Sequence, residues 1–130
     1  MTHLEADVVS KLSPRSVADT VQRLTSLIAA RNLTLFAVID QRAAAATAGL
    51  DLRATTLVIF GSPAAGTAVM VAAPLAAVDL PLKVLIWDDG GRTTVSYYDP
   101  AALADRHHLS ADLAARLSGI GPLTDALVAP

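Results

Sequence analysis

Residues 55–87 read TTLVIFGSPAAGTAVMVAAPLAAVDLPLKVLIW, and this stretch decides the fold. It contains an apolar strand, a glycine and proline turn, a helix of small residues, an elbow at Asp79-Leu80-Pro81, and a second apolar strand. The first strand, 56–60, carries no charge and has branched side chains on both sides, so we expect it to be central in the sheet and covered on both faces. Ser62 is predicted to cap the helix at 63–73, with Pro63 in its first turn.

A hairpin is predicted after the elbow. Residues 82–87 and 92–97 flank Asp-Asp-Gly-Gly, and Asp-Gly between two strand-like runs is a strong hairpin signal. A loop at 89–90 would pair Leu85 with Thr94. One face of this hairpin is apolar and belongs in the core, whereas the other mixes polar residues with Leu85 and Trp87. We interpret that second face as an interface or a pocket wall.

Working outward, the first forty residues predict a strand, an amphipathic helix and a second strand. The strand covers 4–10, the helix begins at Ser13-Pro14 and ends near residue 31, and the second strand covers 33–39. This order suggests a βαβ unit with a right-handed crossover. Short helices are then expected after three caps, Asp40, Asp99 and Ser110.

These elements predict an α/β (α+β) two-layer sandwich formed as a single domain by residues 1–130. We expect about five strands in a mixed sheet, with helices mainly on one face. The other face is then available for a homodimer, and Leu85 and Trp87 are its candidate contacts.

Composition limits the classes of partner. The chain is 53% hydrophobic, so some apolar surface is expected to meet a partner. With a net charge of −2, no basic run and few aromatic residues, nucleic acid is not expected. The apolar run at 68–78 is broken by Pro74 and is too short to span a bilayer. No secretory signal and no cysteine are present, which predicts a cytoplasmic protein without disulfides or thiolate metal sites.

The turn at 61–67 offers a candidate anion site, because it joins a strand to the N-terminus of a helix. Gly61, Ser62 and Thr67 would line it. It is not a P-loop, since no lysine precedes Thr67. The alternative is that Ser62 only caps the helix and Gly66 only permits close packing.

Lys83 is the second candidate, because it interrupts an otherwise apolar strand four residues after Asp79. It would hold an acidic ligand beside the elbow, or act as a base or nucleophile. The alternatives are an ion pair with Asp79, Asp40 or Asp99, or an edge lysine that deters sheet-to-sheet association.

Asp40, Asp79 and Asp99 each fall at a junction between elements. Together they would bind a divalent cation or carry out acid–base chemistry, whereas separately they would serve as caps. Tyr98 points to the opposite face from Tyr97 and is expected to reach a pocket. The His107-His108 pair is interpreted as favourable charge at a helix C-terminus.

The chain resembles the family known as domain of unknown function 302, a small α/β domain of bacteria and archaea. The resemblance covers about residues 13–109 and is carried by 36–40, by 55–61 with Pro63 and Gly66-Thr67, by 79–83, and by Tyr97 with Asp99-Pro100. It implies a two-layer fold and homodimers, and no established activity. The chain departs from the family at Gln41, where relatives often have histidine, and at Tyr98, where they often have asparagine. Any role of that histidine as base or metal ligand therefore does not carry over.

Three functions remain open from the sequence. The first is a homodimeric module that binds a small polar or anionic ligand near Gly61 and Ser62, Thr67, Asp79, Lys83, Tyr98 and Asp99. The second is a small enzyme that uses Lys83 with Asp40 or Asp99 for acid–base chemistry. The third is a protein-interaction module that needs only the Leu85 and Trp87 face. No motif identifies a cofactor, a metal site or a catalytic nucleophile.

Overall fold

The computed structural model describes residues 7–130, which form five strands and six helices. The strands are β1 (Val8–Leu12), β2 (Thr34–Asp40), β3 (Thr55–Gly61), β4 (Leu82–Asp89) and β5 (Arg92–Tyr98). The helices are α1 (Val17–Ala30), α2 (Gln41–Thr47), α3 (Pro63–Ala72), α4 (Pro100–Arg106), α5 (Ala111–Ala115) and α6 (Ile120–Val128). A 3₁₀ turn at Pro74–Val78 follows α3. The first strand was predicted to begin at residue 4, and that part of the prediction lies outside the described residues.

The five strands form one sheet in the order β1-β5-β4-β3-β2, and each neighbouring pair is antiparallel. The predicted α/β two-layer fold is confirmed, but the sheet is antiparallel and not mixed. The strands β1 and β2, which α1 connects, run in the same direction at opposite edges of the sheet. Three strands lie between them, so the expected βαβ unit forms no parallel pair.

One face of the sheet carries the core. Helices α1 and α6 pack on this face, and the strands turn alternate apolar residues toward them. On β3, for example, Val58 and Phe60 are buried, whereas Leu57 and Ile59 are only half-buried on the opposite face. The helices that pack on the sheet lie mainly on one face, as expected, so they do not provide the cover that was predicted for the second face of this strand. Leu57 and Ile59 are the apolar residues on that second face.

A smaller apolar cluster lies beside the core and positions the segment around the elbow. It consists of buried residues from α3, the 3₁₀ turn, α4 and the loop after α5, namely Val69, Ala76, Leu103 and Leu117. Leu80 and Leu82 pack against this cluster, and Leu82 also contacts the main core. The elbow, which contains a cis bond between Leu80 and Pro81, is therefore held between two packed regions.

Most predicted caps are confirmed. The side chains of Asp40, Ser62, Asp99 and Ser110 each accept a hydrogen bond from a backbone N–H in the first turn of the following helix. The first long helix is the exception. It begins at Val17 with Ser16 as its cap, and not at Ser13-Pro14. The backbone N–H of Ser13 donates instead to the carbonyl of Thr93, which continues the pairing between β1 and β5.

The hairpin has a different register from the predicted one. Its loop is Gly90-Gly91, with φ angles of 60° and 94°, and Leu85 pairs with Ser96 where Thr94 was expected. The side chain of Asp88 accepts a hydrogen bond from the N–H of Gly91 at 2.7 Å, which fits this loop. Because the pairing shifts by two residues, each side chain keeps its face. The predicted division into a core face and a mixed face is therefore confirmed.

Candidate functional site

The residues predicted to form one site separate into two groups on either side of the elbow. Gly61, Ser62 and Thr67 line a cavity of about 190 Å³. Asp79, Lys83 and Tyr98 line a second cavity of about 210 Å³. Leu82 contributes to the walls of both cavities, so they are neighbours. Asp99 lines neither of them.

Lys83 lies on β4 inside the sheet and is half-buried. Its Nζ donates to the carbonyl oxygen of Pro81 at 2.9 Å and to that of Asp79 at 3.2 Å. Within residues 7–130, no carboxylate lies within 4.0 Å of this ammonium group. An ion pair with one of the three predicted aspartates is therefore not formed, and the lysine is not on an edge strand. Both acceptors are neutral, so the described residues leave its positive charge uncompensated.

The carboxylate of Asp79 is engaged by α4 instead. Its Oδ2 lies 2.6 Å from Nε2 of His107, and Nη1 of Arg106 is 3.2 Å from both carboxylate oxygens. Burial of the carboxyl acts to raise its pKa, but the hydrogen bonds from His107 and Arg106 outweigh this effect. The pKa of Asp79 therefore lies below its ordinary value of 3.8.

His107 and Arg106 are the site residues that sequence reasoning missed. His107 was expected only to place favourable charge at the end of its helix, yet its ring is hydrogen-bonded to a carboxylate 28 residues away. The guanidinium of Arg106 also lies 6.0 Å from the ring centroid of Tyr98. No spacing in the sequence links the elbow to the end of α4, so no signal indicated these contacts.

The cavity beside Lys83 has an apolar wall and a charged end. The apolar wall is formed by Val78, Leu82, Leu103 and Ile120. The polar groups are Lys83, Asp79 and Tyr98, which is 46% exposed and reaches the cavity as predicted. Since Asp79 is already paired, the ammonium group of Lys83 is the charge that remains for a ligand. This arrangement suits a small molecule with an apolar body and an anionic end.

The cavity beside the turn is more apolar, and its predicted anion-binding groups are largely absent. Ser62 uses its hydroxyl to accept from the N–H of Ala65 at 3.3 Å, and Pro63 has no N–H to offer. Among the first three residues of α3, Pro63 therefore has no N–H and the N–H of Ala65 is already hydrogen-bonded. Most of the wall is apolar and comes from Phe36, Met70, Leu80, Pro81, Leu82 and Leu117.

The three predicted aspartates do not act together. Asp40 caps α2 and Asp99 caps α4, each through its side chain. The part of the chain that the structure describes contains no cluster of three or more histidine, aspartate or glutamate side chains suited to a metal ion. Neither Asp40 nor Asp99 is within ion-pair distance of Lys83.

The face of the sheet opposite α1 and α6, which we call the helix-free face, is the other feature that suggests a function. Leu57, Ile59, Leu85 and Trp87 are half-buried there, whereas α1 and α6 pack on the opposite face. The indole Nε1 of Trp87 donates to Oγ of Ser96 at 3.0 Å, which holds the ring against the sheet. This face therefore combines an apolar patch and one anchored aromatic ring with polar side chains. A cavity of about 230 Å³ lies on it, lined in part by Leu57, Leu85 and Lys83.

Comparisons with known proteins bear on the family and the fold. The family model described as "Domain of unknown function DUF302" matches residues 9–121. A solved structure described as an uncharacterized conserved protein DUF302 from Bacillus stearothermophilus superposes with a TM-score of 0.79. The match covers 94% of this chain and 95% of that one, at 15% identity. At that identity, the likeness concerns the fold alone.

Curated relatives carry a more specific name. The chain is 37% identical over 126 residues to proteins named "Fluoride-specific ion channel FluC 1" from Brucella suis biovar 1 and Brucella abortus biovar 1. The match covers 93% of this chain but only 50% and 47% of those proteins, so the chain spans about half the length of the curated relatives it matches. Among residues 7–130, no helix has the length and apolar character needed to cross a membrane.

Proposed function

We propose that this chain, which belongs to the DUF302 family, is a binding module for a small anionic ligand at Lys83. The family name records no activity, so the proposal rests on the geometry of the site. The observation that supports this proposal is the half-buried ammonium group, whose acceptors are two neutral backbone carbonyls. A buried or half-buried charge without a counter-charge is costly, and an anionic ligand would reduce that cost.

The ligand class follows from the walls of the cavity. About 210 Å³ lined mainly by aliphatic side chains is more space than a bare inorganic ion fills, and it favours a carboxylate with a short apolar body. Fluoride, which the name of the curated relatives suggests, is the inorganic anion to compare with it. Acid–base catalysis with Asp40 or Asp99 has less support, because both carboxylates cap helices away from the ammonium group.

A titration with sodium hexanoate, hexylammonium chloride and sodium fluoride tests the proposal. Amide shifts in the full chain should show saturable hexanoate binding around Lys83 and Tyr98. Lys83→Met should weaken this binding about tenfold or more, since a hydrogen bond to a charged group contributes about 1.5–3 kcal/mol. Lys83→Arg keeps the charge and should retain part of the affinity.

Arg116→Met is the matched control, because it removes one positive charge from an exposed position. It should leave hexanoate binding unchanged. Equal binding of hexanoate to the wild type and to Lys83→Met would contradict the site. Equal binding of hexylammonium would contradict the anionic preference, and a response to fluoride alone would contradict the carboxylate class.

A second candidate function, self-association, is favoured by the helix-free face. Four half-buried apolar residues, Leu57, Ile59, Leu85 and Trp87, form a surface that a second copy of the chain would cover. An isologous dimer buries the same patch of both copies across a two-fold axis, so an apolar patch is self-complementary. The mass of the chain in solution, and its change when Trp87 is replaced, tests this surface.

A further inference from the structure

The cavity beside Gly61 is separate from the Lys83 site in its chemistry. Its volume is about 190 Å³, which is in the range of an engineered cavity of about 150 Å³ that binds benzene. Phe36 and Met70 provide an aromatic wall and a thioether wall, and Lys83 does not line it. No charged side chain is among its lining residues. An ionic ligand would therefore lose its hydration here without gaining a counter-charge.

The polar atoms of this cavity come mainly from one segment. The hydroxyl-bearing residues of its wall are Ser62, the N-cap of α3, and Thr67, the fifth residue of that helix, whereas Leu80, Pro81 and Leu117 form an apolar part of the wall. Hydroxyl groups can both donate and accept a hydrogen bond. The distribution favours a ligand with an apolar body and a single neutral hydrogen-bonding group at one end.

Two glycines of the wall have no structural reason to lack a side chain. Neither Gly61 nor Gly66 has a positive φ angle. A Cβ atom on Gly66 would lie 3.9 Å from Cε of Met70, and one on Gly61 would lie 3.8 Å from Cβ of Pro81, which are ordinary contact distances. Glycine inside a helix is unfavourable relative to alanine. At both positions the missing side chain leaves space at the wall of the cavity.

We propose that this cavity is a second binding site, which takes a compact neutral molecule with an apolar body and one hydroxyl or carbonyl group. Benzyl alcohol is the probe, with toluene and benzoate as its apolar and anionic analogues. For a ligand of this size, a dissociation constant on the order of 1 mM is expected. Benzyl alcohol should bind more tightly than either analogue and should shift the amides of residues 61–67.

Gly66→Leu fills the cavity from its wall and should weaken binding of benzyl alcohol about tenfold. Ala64→Leu adds the same side chain to an exposed position of the same helix that does not line the cavity, and it should leave binding unchanged. Gly66→Ala is a milder variant whose Cβ fits without a clash, and it should cause a smaller loss while the fold is retained.

The outcomes separate this site from the Lys83 site. Lys83→Met should leave benzyl alcohol binding intact, and Gly66→Leu should leave hexanoate binding at Lys83 intact. Tighter binding of benzoate or of toluene would contradict the neutral, one-ended ligand class. Absence of saturable binding, or equal binding to the wild type and to both Gly66 variants, would overturn the site itself.

Discussion

At the residue scale, Asp79 shows how a single carboxylate connects two parts of the chain that are distant in sequence. It lies just before the elbow, and it is hydrogen-bonded to Arg106 and His107 at the end of α4. Its side chain is 20% exposed, so solvent screens these contacts only in part. The carboxylate therefore contributes to the position of the elbow, and with it to the position of the Lys83 ammonium group.

We predict that Asp79→Asn lowers the free energy of unfolding at pH 7 by about 1–2 kcal/mol, because the hydrogen bonds from Arg106 and His107 lose their negatively charged acceptor. Urea denaturation measures this difference. Asp51→Asn is the control, since Asp51 is exposed and its side chain makes no hydrogen bond within the described residues. A loss equal to that of the control would contradict the role of Asp79.

The same variant gives a pH dependence with a defined sign. The pKa of Asp79 is lower in the folded chain than its ordinary value of 3.8, so the unfolded chain binds the proton more readily. Above that ordinary value the carboxyl is ionised in both states, and its contribution to stability is complete. As the pH falls through the lower folded pKa, the contribution is lost. The difference between wild type and Asp79→Asn should therefore shrink below about pH 4, and a constant difference would contradict the linkage.

Single residues also show which contacts sequence can predict. Asp40, Ser62 and Asp99 were identified as caps, because a cap depends on the next three residues of the same segment. The contact between Asp79 and His107 was not, because it depends on how the elbow and α4 meet in the tertiary structure. Lys83 was identified as unusual because its neighbours in the strand are apolar. Its hydrogen bonds to the carbonyls of Asp79 and Pro81 were not predicted.

At the scale of elements, α6 is anchored by basic side chains from the N-terminal part of the chain. Nη1 and Nη2 of Arg15 donate to the carbonyls of Leu127 and Ala129 at 3.0 and 2.9 Å. Arg23 donates to the carbonyl of Ala126 at 3.0 Å. The final carbonyls of a helix have no partner within the helix, so these arginines satisfy them and place positive charge at the negative end of the dipole.

We predict that Arg15→Ala lowers the free energy of unfolding by about 1–3 kcal/mol, since two charge-assisted hydrogen bonds to half-buried carbonyls are lost. Hydrogen exchange should accelerate in α6 before it accelerates in β3 or β4. Arg53→Ala removes the same charge from an exposed loop and should change neither quantity appreciably. Unchanged exchange in α6 would show that core packing alone holds this helix.

The hairpin shows where element boundaries escape prediction. Asp-Asp-Gly-Gly can form a two-residue loop at 89–90 or at 90–91, and the preference for Asp-Gly in such loops predicted the one at 89–90. The structure has the second, in which both loop residues are glycines with positive φ and Asp88 accepts from Gly91. The alternation of side chains was unaffected, so the two faces could be predicted although the pairing could not.

At the scale of the whole molecule, the order of strands was the least predictable feature. Apolar periodicity identified the strands and the first long helix, because it reflects which residues face the core, and caps indicated most of the other helices. It does not specify neighbours. The strands β1 and β2 were expected to form a βαβ unit, but β5, β4 and β3 lie between them. In the part of the chain that the structure describes, α1 and α6 both pack on one face of the resulting sheet.

We predict that the chain forms dimers through this face and that Trp87→Asp gives monomers. The substitution places a charge at the hairpin end of the apolar patch, where burial against a second copy would be costly. Size-exclusion chromatography with light scattering measures the mass. Trp87 is the single tryptophan, so its emission should also shift to longer wavelength when the wild type is diluted and the dimer dissociates.

Two further variants separate loss of the interface from loss of the fold. Ile59→Lys changes another half-buried residue of the same face without removing the hydrogen bond between Trp87 and Ser96, and it should also give monomers. Val71→Asp adds the same charge as Trp87→Asp at a position of α3 that is 78% exposed, and it should leave the dimer intact. A monomeric wild type, or dimers that persist in both face variants, would remove this surface from the interface. Lys83 and Tyr98 lie on the same face as Leu57 and Leu85, so a dimer through this face would restrict access to the Lys83 ammonium group, whereas a monomer would leave it open.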